Sequence, residues 1–280
     1  MKTRIISILI VFFSFASCFS QENSFVKFNY QTQPTKDIDI NQFGLTMGFD
    51  LLKNDKSSFL NSISYGNTKF KYEDAIPFSE KLEQFNTVEY HLRYNYRISE
   101  LWEIEAKINP SANFETNFGI SDVSLFGSLG ITRKISSNTK LAVGVFRDKV
   151  FGKPQILPSL LFLHQFKNNI ELGLGFPKSK ISYSNNERNL FSIQNNFDGY
   201  FYNIDQKIQV INSEANRISF AQMSTTFQFD RKFDDNFTLT LKGGYDFNRK
   251  YKLSDSEANS KYDFEISNSP TLNFGIKYQL

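Results

Sequence analysis

From about residue 25 to the end of the chain, apolar and polar side chains alternate with a period of two. Val88, Tyr90, Leu92, Tyr94 and Tyr96 alternate with Glu89, His91, Arg93, Asn95 and Arg97. Trp102, Ile104, Ala106 and Ile108 alternate with Glu103, Glu105, Lys107 and Asn109. The same rhythm runs from Phe43 to Leu51 and from Phe237 to Phe247. Successive side chains on a strand point to opposite sides, so each segment predicts a strand with one greasy and one wet face. Two architectures use such strands. A soluble sandwich hides the apolar face in a core, whereas a transmembrane barrel turns it to lipid and keeps the polar face for a lumen.

Three features of the pattern predict the barrel. Its clean runs reach the roughly nine to eleven residues that a tilted strand needs to cross a bilayer, against about five or six in ordinary sheets. Tight polar turns near residues 54, 99, 137, 168, 186 and 235 alternate with longer polar links, such as Glu73 to Gln84, Ile204 to Asn216 and Lys250 to Lys261. Short periplasmic turns and longer outer loops have that asymmetry. Finally, the chain stops on a strand, with Leu272, Phe274, Ile276, Tyr278 and Leu280 on its apolar face. Left open in water, that edge invites aggregation; in a barrel it closes against the first strand near Val26, Phe28 and Tyr30. The fold class expected is therefore an all-β, antiparallel, up-and-down transmembrane barrel. The turns divide it into fourteen strands, or twelve if the short hairpin from Ile170 to Ser184 is a fold within a loop.

Residues 1–20 have the three parts of a secretory signal: Lys2 and Arg4, the apolar stretch Ile5 to Phe15, and a cleavage site at Cys18-Phe19-Ser20. Residues 21–280 are then the barrel domain. A competing detail is the lipobox-like Phe15-Ala16-Ser17-Cys18, which would leave Cys18 lipidated. Cys18 is the only cysteine, so cleavage after Ser20 leaves neither disulfides nor thiolate metal sites. Aromatics are abundant (31 Phe and 13 Tyr) although only 40% of residues are hydrophobic, which suits apolar side chains spread thinly over a wide outer surface. The formal net charge is +3 and there is no basic run, so nucleic acid is not an expected partner.

The segment Gly173-Leu174-Gly175-Phe176-Pro177-Lys178-Ser179-Lys180, with the strand from Asn189 to Ile204, resembles a family of uncharacterised outer-membrane β-barrels of the Bacteroidota, grouped as a domain of unknown function. The strand from Phe59 to Tyr72 and the closing strand from Thr271 to Leu280 match it as well. The resemblance implies a location and a fold, and carries no activity or ligand. The last strand also resembles the carboxy-terminal signal read by the barrel-assembly machinery, through Phe274, Ile276, Tyr278 and Leu280. The expected surroundings are outer-membrane lipid, lipopolysaccharide and that machinery.

Little in the chain suggests chemistry. Neither His91 nor His164 has a serine two residues away, the spacing that resembles outer-membrane lipases. Asp37, Asp39, Asp234 and Asp235 lack the glycine and distal glutamate of a calcium loop and read as turn carboxylates. Neither metal nor cofactor is expected. Ser-Glu-Ala-Asn occurs at Ser213 to Asn216 and at Ser256 to Asn259, too short a match for a repeat. The strongest constellation is the polar face around Ser99, where Glu89, His91, Arg93, Arg97, Glu103, Glu105 and Lys107 are the lumen-facing candidates. Two registers keep the faces matched. One puts Arg93 opposite Glu105 and His91 opposite Lys107; the other puts Arg97 opposite Glu103. Such a ladder either filters a small polar solute or fills the interior. The expectation for the protein is a narrow pore or small-solute barrel without catalysis. A non-conducting structural or adhesive envelope barrel is the alternative, and a lipid-modifying enzyme is the third reading.

Overall fold

A computed structural model describes residues 24–72, 82–167, 169–210 and 213–280 of the 280-residue chain. Its first strands are β1 (Phe25–Gln33), β2 (Ile38–Lys53), β3 (Ser57–Tyr72), β4 (Gln84–Arg97) and β5 (Trp102–Phe114). After a 3-10 turn at Ile120–Asp122 come β6 (Val123–Ser136), β7 (Thr139–Asp148), β8 (Gln155–Phe166), β9 (Ile170–Phe176) and β10 (Lys178–Asn186). The last are β11 (Asn189–Val210), β12 (Ser213–Lys232), β13 (Phe237–Ser254), β14 (Ser260–Phe264) and β15 (Ser269–Gln279). The proposed export signal lies outside the described residues.

From β1 to β14 each strand pairs antiparallel with the next, and β15, which pairs with β13, returns to β1, so the sheet closes into a ring. At the seam Phe274 faces Tyr30, Ile276 faces Phe28 and Tyr278 faces Val26, while the Leu280 amide donates to the Ser24 carbonyl at 2.8 Å. β14 and β15 both lie along β13, one on residues 251–254 and the other on residues 237–246. They are two pieces of one return arm. The ring therefore has fourteen strands, and β9 and β10 are full members of it, which removes the twelve-stranded alternative. Six links of two to four residues gather at one end.

The opposite end departs from the expected picture of loose polar loops. The segment from Ile204 to Asn216 is mostly ladder, with Ile208 paired to Ala215 and Val210 to Ser213. Its inward Ile204, Ile208, Val210 and Ala215 are buried, and the polar residues between them face water. The apolar positions there keep a period of two, diluted by Asp205, Lys207 and Gln209. β13 likewise runs on through Ser254. Beyond the height at which Tyr30, Phe43 and Tyr65 end the outer apolar band, β2, β3 and β11–β14 thus continue as a tower.

Inside the tower the inward faces are mostly apolar, with the Arg249 guanidinium buried over the Phe220 ring, and they meet across the lumen. Phe70 of β3 stacks on Tyr251 of β13 with ring centroids 5.3 Å apart, and Phe85 of β4 stacks on Tyr202 of β11 at 4.9 Å. Ile38, Ile40, Leu82, Ile218, Phe220 and Leu253 fill the space between and are completely buried. Strands this far apart along the wall touch only because their inner faces have collapsed together. Burying each large side chain contributes about 1.5–3 kcal/mol, so this cap is a dry hydrophobic core.

The wall is shorter beneath it on one side. β9 meets only Leu160–Phe166 of β8, and β10 meets β11 only as far as Asn196. Above that hairpin, which turns at Pro177, the segment from Lys149 to Gly152 folds into the gap. Phe151 packs on Phe176 and Phe197, with centroids 6.0 and 5.4 Å apart. Two glycines permit the fit. A Cβ on Gly199 would overlap the Lys149 carbonyl oxygen, and Gly152 adopts φ +76°, the left-handed region that glycine tolerates without penalty.

Around the middle of the ring the outward face is greasy and uncovered. Leu125, Leu129, Val143, Leu160, Leu174, Ile193, Phe227, Leu241 and Leu272 all stand exposed on it. Aromatic residues mark both edges, including Tyr96, Trp102, Tyr183 and Phe237 near the tight turns and Tyr30, Phe43, Tyr65 and Tyr245 towards the tower. Girdles of this kind flank the lipid-facing band of transmembrane barrels. The Arg133 guanidinium sits 5.3 Å from the Trp102 ring at the tight-turn edge, where an amphipathic pair belongs. One polar exception is Asn61, fully buried on the outward side, whose amide oxygen accepts the Tyr90 hydroxyl. Leu129 is 58% exposed in the middle of this band. Leu129→Arg should cost about 2–4 kcal/mol in a bilayer, measured by urea titration in liposomes. On a water-facing surface the same change would stay within about 0.5 kcal/mol.

Candidate functional site

Below the cap the inward residues change from apolar to polar, and a cavity of about 400 Å³ opens. Tyr200, Tyr202 and Thr68 form its roof, with the Thr68 and Tyr202 hydroxyls 3.1 Å apart. Ser64, Thr87, Glu89, His91, Asn109 and Lys149 line its walls. A second space of about 320 Å³ adjoins it through Asn109 and Asp148, bounded by Glu105, Lys107, Phe146 and Lys178.

The hairpin of β4 and β5 supplies most of the charge. Arg97 lies opposite Glu103, Asn95 opposite Glu105 and Arg93 opposite Lys107. The register with Arg93 opposite Glu105 and His91 opposite Lys107 is therefore not adopted. Opposed Arg93 and Lys107 have like charge, which by itself would repel. Glu105 resolves this by taking both: its two oxygens lie 2.6 Å from Lys107 Nζ and 3.6 Å from Arg93 Nε. Arg97 and Glu103, although opposed, form no ion pair within 4 Å among the described residues.

Deeper in, Glu89 is the hub. Its Oε1 accepts from Lys149 Nζ at 3.2 Å and from the Ser111 hydroxyl at 3.0 Å, and its Oε2 lies 3.4 Å from His91 Nε2. Lys149 also donates to Asn113 Oδ1 at 3.0 Å and lies over the Phe126 ring. Lys149 belongs to the segment that fills the gap in the wall, so the glycine contacts at Gly152 and Gly199 set where its ammonium lands. Sequence reasoning missed this residue because it sits in a link, outside any alternating run.

Side-chain exposure rises steadily away from the cap. Lys149 and Glu89 are 10% and 24% exposed, whereas Glu105 and Arg93 reach 37% and 46%. Exposure is thus lowest under the roof of tyrosines and grows towards the end of the tight turns. The lumen is a polar vestibule closed at the tower end.

The histidines are poorly placed for nucleophilic chemistry. Ser64 Oγ lies 3.4 Å from His91 Nε2, and Glu89 approaches the same nitrogen. A relay needs the nucleophile on one ring nitrogen and the carboxylate on the other. His164 points outward near the tight turns, where its Nδ1 meets the Thr139 hydroxyl at 2.9 Å. The acidic turn residues cap backbone instead of gathering: Asp234 Oδ1 accepts the amides of Asn236 and Phe237, and Asp39 Oδ1 that of Thr35. Asp37 accepts the Ser267 amide at 2.9 Å. No cluster of three metal-ligating side chains occurs among the described residues.

At the tip of the tower Asp255 accepts the amides of Glu257 and Asn259 and pairs with Lys261 at 2.9 Å, which holds its carboxyl well below the usual range. Burial instead pushes Glu115 up, against the hydrogen bond that it accepts from the Asp205 amide. These groups tie the rim to itself and leave the vestibule untouched. Phe274, Ile276 and Tyr278 lie on the outward face of the seam strand, and Leu280 ends it.

A family model described as a domain of unknown function, DUF6268, matches residues 12–279. No curated protein matches the chain. Among solved structures, a Pseudomonas aeruginosa FadL homologue is similar over 93% of this chain and 90% of its own, with 9% identity and a TM-score of 0.52. The KdgM porin is similar over 91% and 99%, with 8% identity and a TM-score of 0.42. Outer membrane phospholipase A from Escherichia coli is similar over 93% and 98%, with 10% identity and a TM-score of 0.40. The fold shared with the first of these is the outer-membrane β-barrel.

Removing Lys149 takes the ammonium from Glu89 and Asn113 and leaves them the Ser111 and Thr87 hydroxyls and His91 in a mostly buried site. Lys149→Met should therefore destabilise by about 1–3 kcal/mol, whereas Glu105→Gln, in the wetter part of the lumen, should cost at most about 1 kcal/mol. Unfolding midpoints in detergent would rank the two variants, and the reverse order would contradict the assignment of Glu89 as the hub.

Proposed function

The chain belongs to the DUF6268 family, and we propose that it is a small-solute barrel of the bacterial outer membrane, binding its cargo in the polar vestibule without catalysis. The observation that carries this reading is the change of inner lining along one lumen. A hydrated charged chamber ends at a dry aromatic cap formed by strands that lie far apart in the ring. A freely conducting pore would need a continuous wet path, and the cap interrupts it. On this reading the structure is the closed state of a narrow passage. Export through the signal in residues 1–20, insertion through the terminal strand and a Bacteroidota host fit the same account. Lipid and lipopolysaccharide would surround the outward band.

A second reading, a non-conducting envelope barrel, draws on the same cap together with the long tower, which offers a rigid outer surface for contact. The two readings part on whether the cap yields. In planar bilayers the wild-type protein should stay closed at moderate voltage. Phe220→Ala combined with Tyr251→Ala, which hollows the cap, should produce discrete openings. If the hollowed variant remains electrically silent, the solute passage fails and the structural barrel stands. Large steady currents from the wild type would contradict the closed state itself.

A further inference from the structure

The vestibule has a second charged sector, on the arc from β10 to β1, that the β4–β5 ladder does not touch. Its inward residues include Lys178 and Lys180 of β10, Lys242 of β13, Lys277 of β15 and Lys27 of β1. Their direction follows from the register. Lys27 and Lys277 are directly opposed, and the flanking pairs Phe28–Ile276 and Val26–Tyr278 carry the outward face. Lys242 lies between Gln228 and Asn273, flanked by the outward Leu241. Lys180 precedes the outward Ile181.

These lysines also face one another across the lumen. Lys178, Lys242 and Lys27 lie within Coulombic reach of each other. Along the wall Lys178 is separated from Lys27 by β11, β12, β13 and β15, so the short path between them runs through the interior. Like charges placed opposite one another destabilise a sheet, and the two carboxylates that act on Lys178 and Lys242, Asp198 and Asp230, offset only part of the charge of five ammonium groups. Among the described residues none of the five has a carboxylate oxygen within 4 Å.

These two aspartates bond neutral donors and keep their charge, but neither forms an ion pair with a lysine of the sector. Asp230 accepts the Thr240 hydroxyl and the Gln228 amide, both at 2.6 Å. Asp198 accepts the Asn196 amide, and the Ser224 hydroxyl at 3.3 Å. The contrast with the first sector is one of pairing: there Glu89 and Glu105 hold Lys149, Lys107 and Arg93 in direct ion pairs, and here five ammonium groups outnumber two aspartates and pair with neither. One of them, Lys277, rests 4.7 Å from the centre of the Phe25 ring, which orients the side chain without removing its charge.

We infer that this lysine sector is a binding site for a small polyanion, a solute carrying two or more carboxylate or phosphate groups spaced to reach ammonium groups on opposite walls. The inference rests on the small-solute reading and names its cargo class. Lys27, Lys178 and Lys242 hold the anion, and the charge-balanced β4–β5 ladder forms the neutral opposite side. Such a site also explains why the sheet tolerates Lys27 opposite Lys277, since a bound anion turns their repulsion into a shared attraction.

The full chain in detergent micelles can be titrated calorimetrically with citrate, inorganic phosphate, spermidine and raffinose in parallel. Citrate should bind, phosphate more weakly, and spermidine and raffinose should give no heat. Lys27→Gln combined with Lys242→Gln should weaken citrate binding by about tenfold or more, the loss of two charge-assisted contacts. The outward tower variant Lys69→Gln with Lys71→Gln should bind as the wild type does. Retention of the heat-dependent gel shift of a folded barrel verifies that each variant is intact. Binding of spermidine or raffinose in place of citrate would overturn the anion assignment and leave the small-solute reading standing. Citrate binding unchanged in the Lys27/Lys242 variant would overturn the site. An absence of heat with all four probes would overturn both readings.

Discussion

Inside hydrocarbon there is no water to take up a free backbone N–H or C=O, and an unpaired group costs several kcal/mol. A sheet can satisfy that condition only by having no edge. The pairing of β15 with β1, eight residue pairs long from Phe25–Gln279 to Thr32–Leu272, removes the edge and so makes every other property of the chain possible. Once the ring is closed, the period of two decides the rest. One face of each strand meets lipid, the other meets whatever the interior contains, and a shift of one residue anywhere would exchange them. The greasy outer band and the charged lumen are two consequences of one closure.

What fills the interior then depends on height. At the level of the bilayer the inward positions are occupied by Glu89, Glu105, Lys107, Lys27 and Lys242, which need water or partners. Above it they are occupied by Ile38, Phe70, Phe85 and Phe220, which need neither, and by Tyr202 and Tyr251, whose hydroxyls meet those of Thr68 and Tyr72. The same alternation thus builds a transmembrane wall in one place and a folded core in another. The segment from Lys149 to Gly152 joins the two regimes. It seals the shallow part of the wall with Phe151 while sending the Lys149 ammonium down to Glu89.

The barrel was legible in the sequence because lipid imposes a regular pattern on long runs such as Val88 to Tyr96 and Leu272 to Leu280. Strand number followed from the tight turns, whose polar residues interrupt that pattern cleanly. The tower was not legible. Between Ile204 and Asn216 the outward positions face water, so the overall composition reads as loop, and only the even-numbered Ile204, Ile208 and Val210 betray a strand. Register within the β4–β5 ladder was open as well, since both alternatives interleave charges, and the shared partner Glu105 emerges only in three dimensions. The lysine sector was hidden for a different reason. Its members are scattered over β1, β10, β13 and β15, and no local spacing connects residues that meet across a lumen.

The cap draws its side chains from both ends of the chain: Ile38, Ile40, Phe70, Leu82 and Phe85 from the first strands, and Tyr202, Phe220, Leu253 and Phe264 from the last. Neither set can find its counterpart until the seam between them has zipped. A polypeptide halted partway through insertion would therefore present bare phenylalanine and tyrosine rings to the aqueous exterior, an adhesive surface that chaperones and proteases recognise. The outer plug doubles as a certificate of completion, signed only when the first and last strands have met.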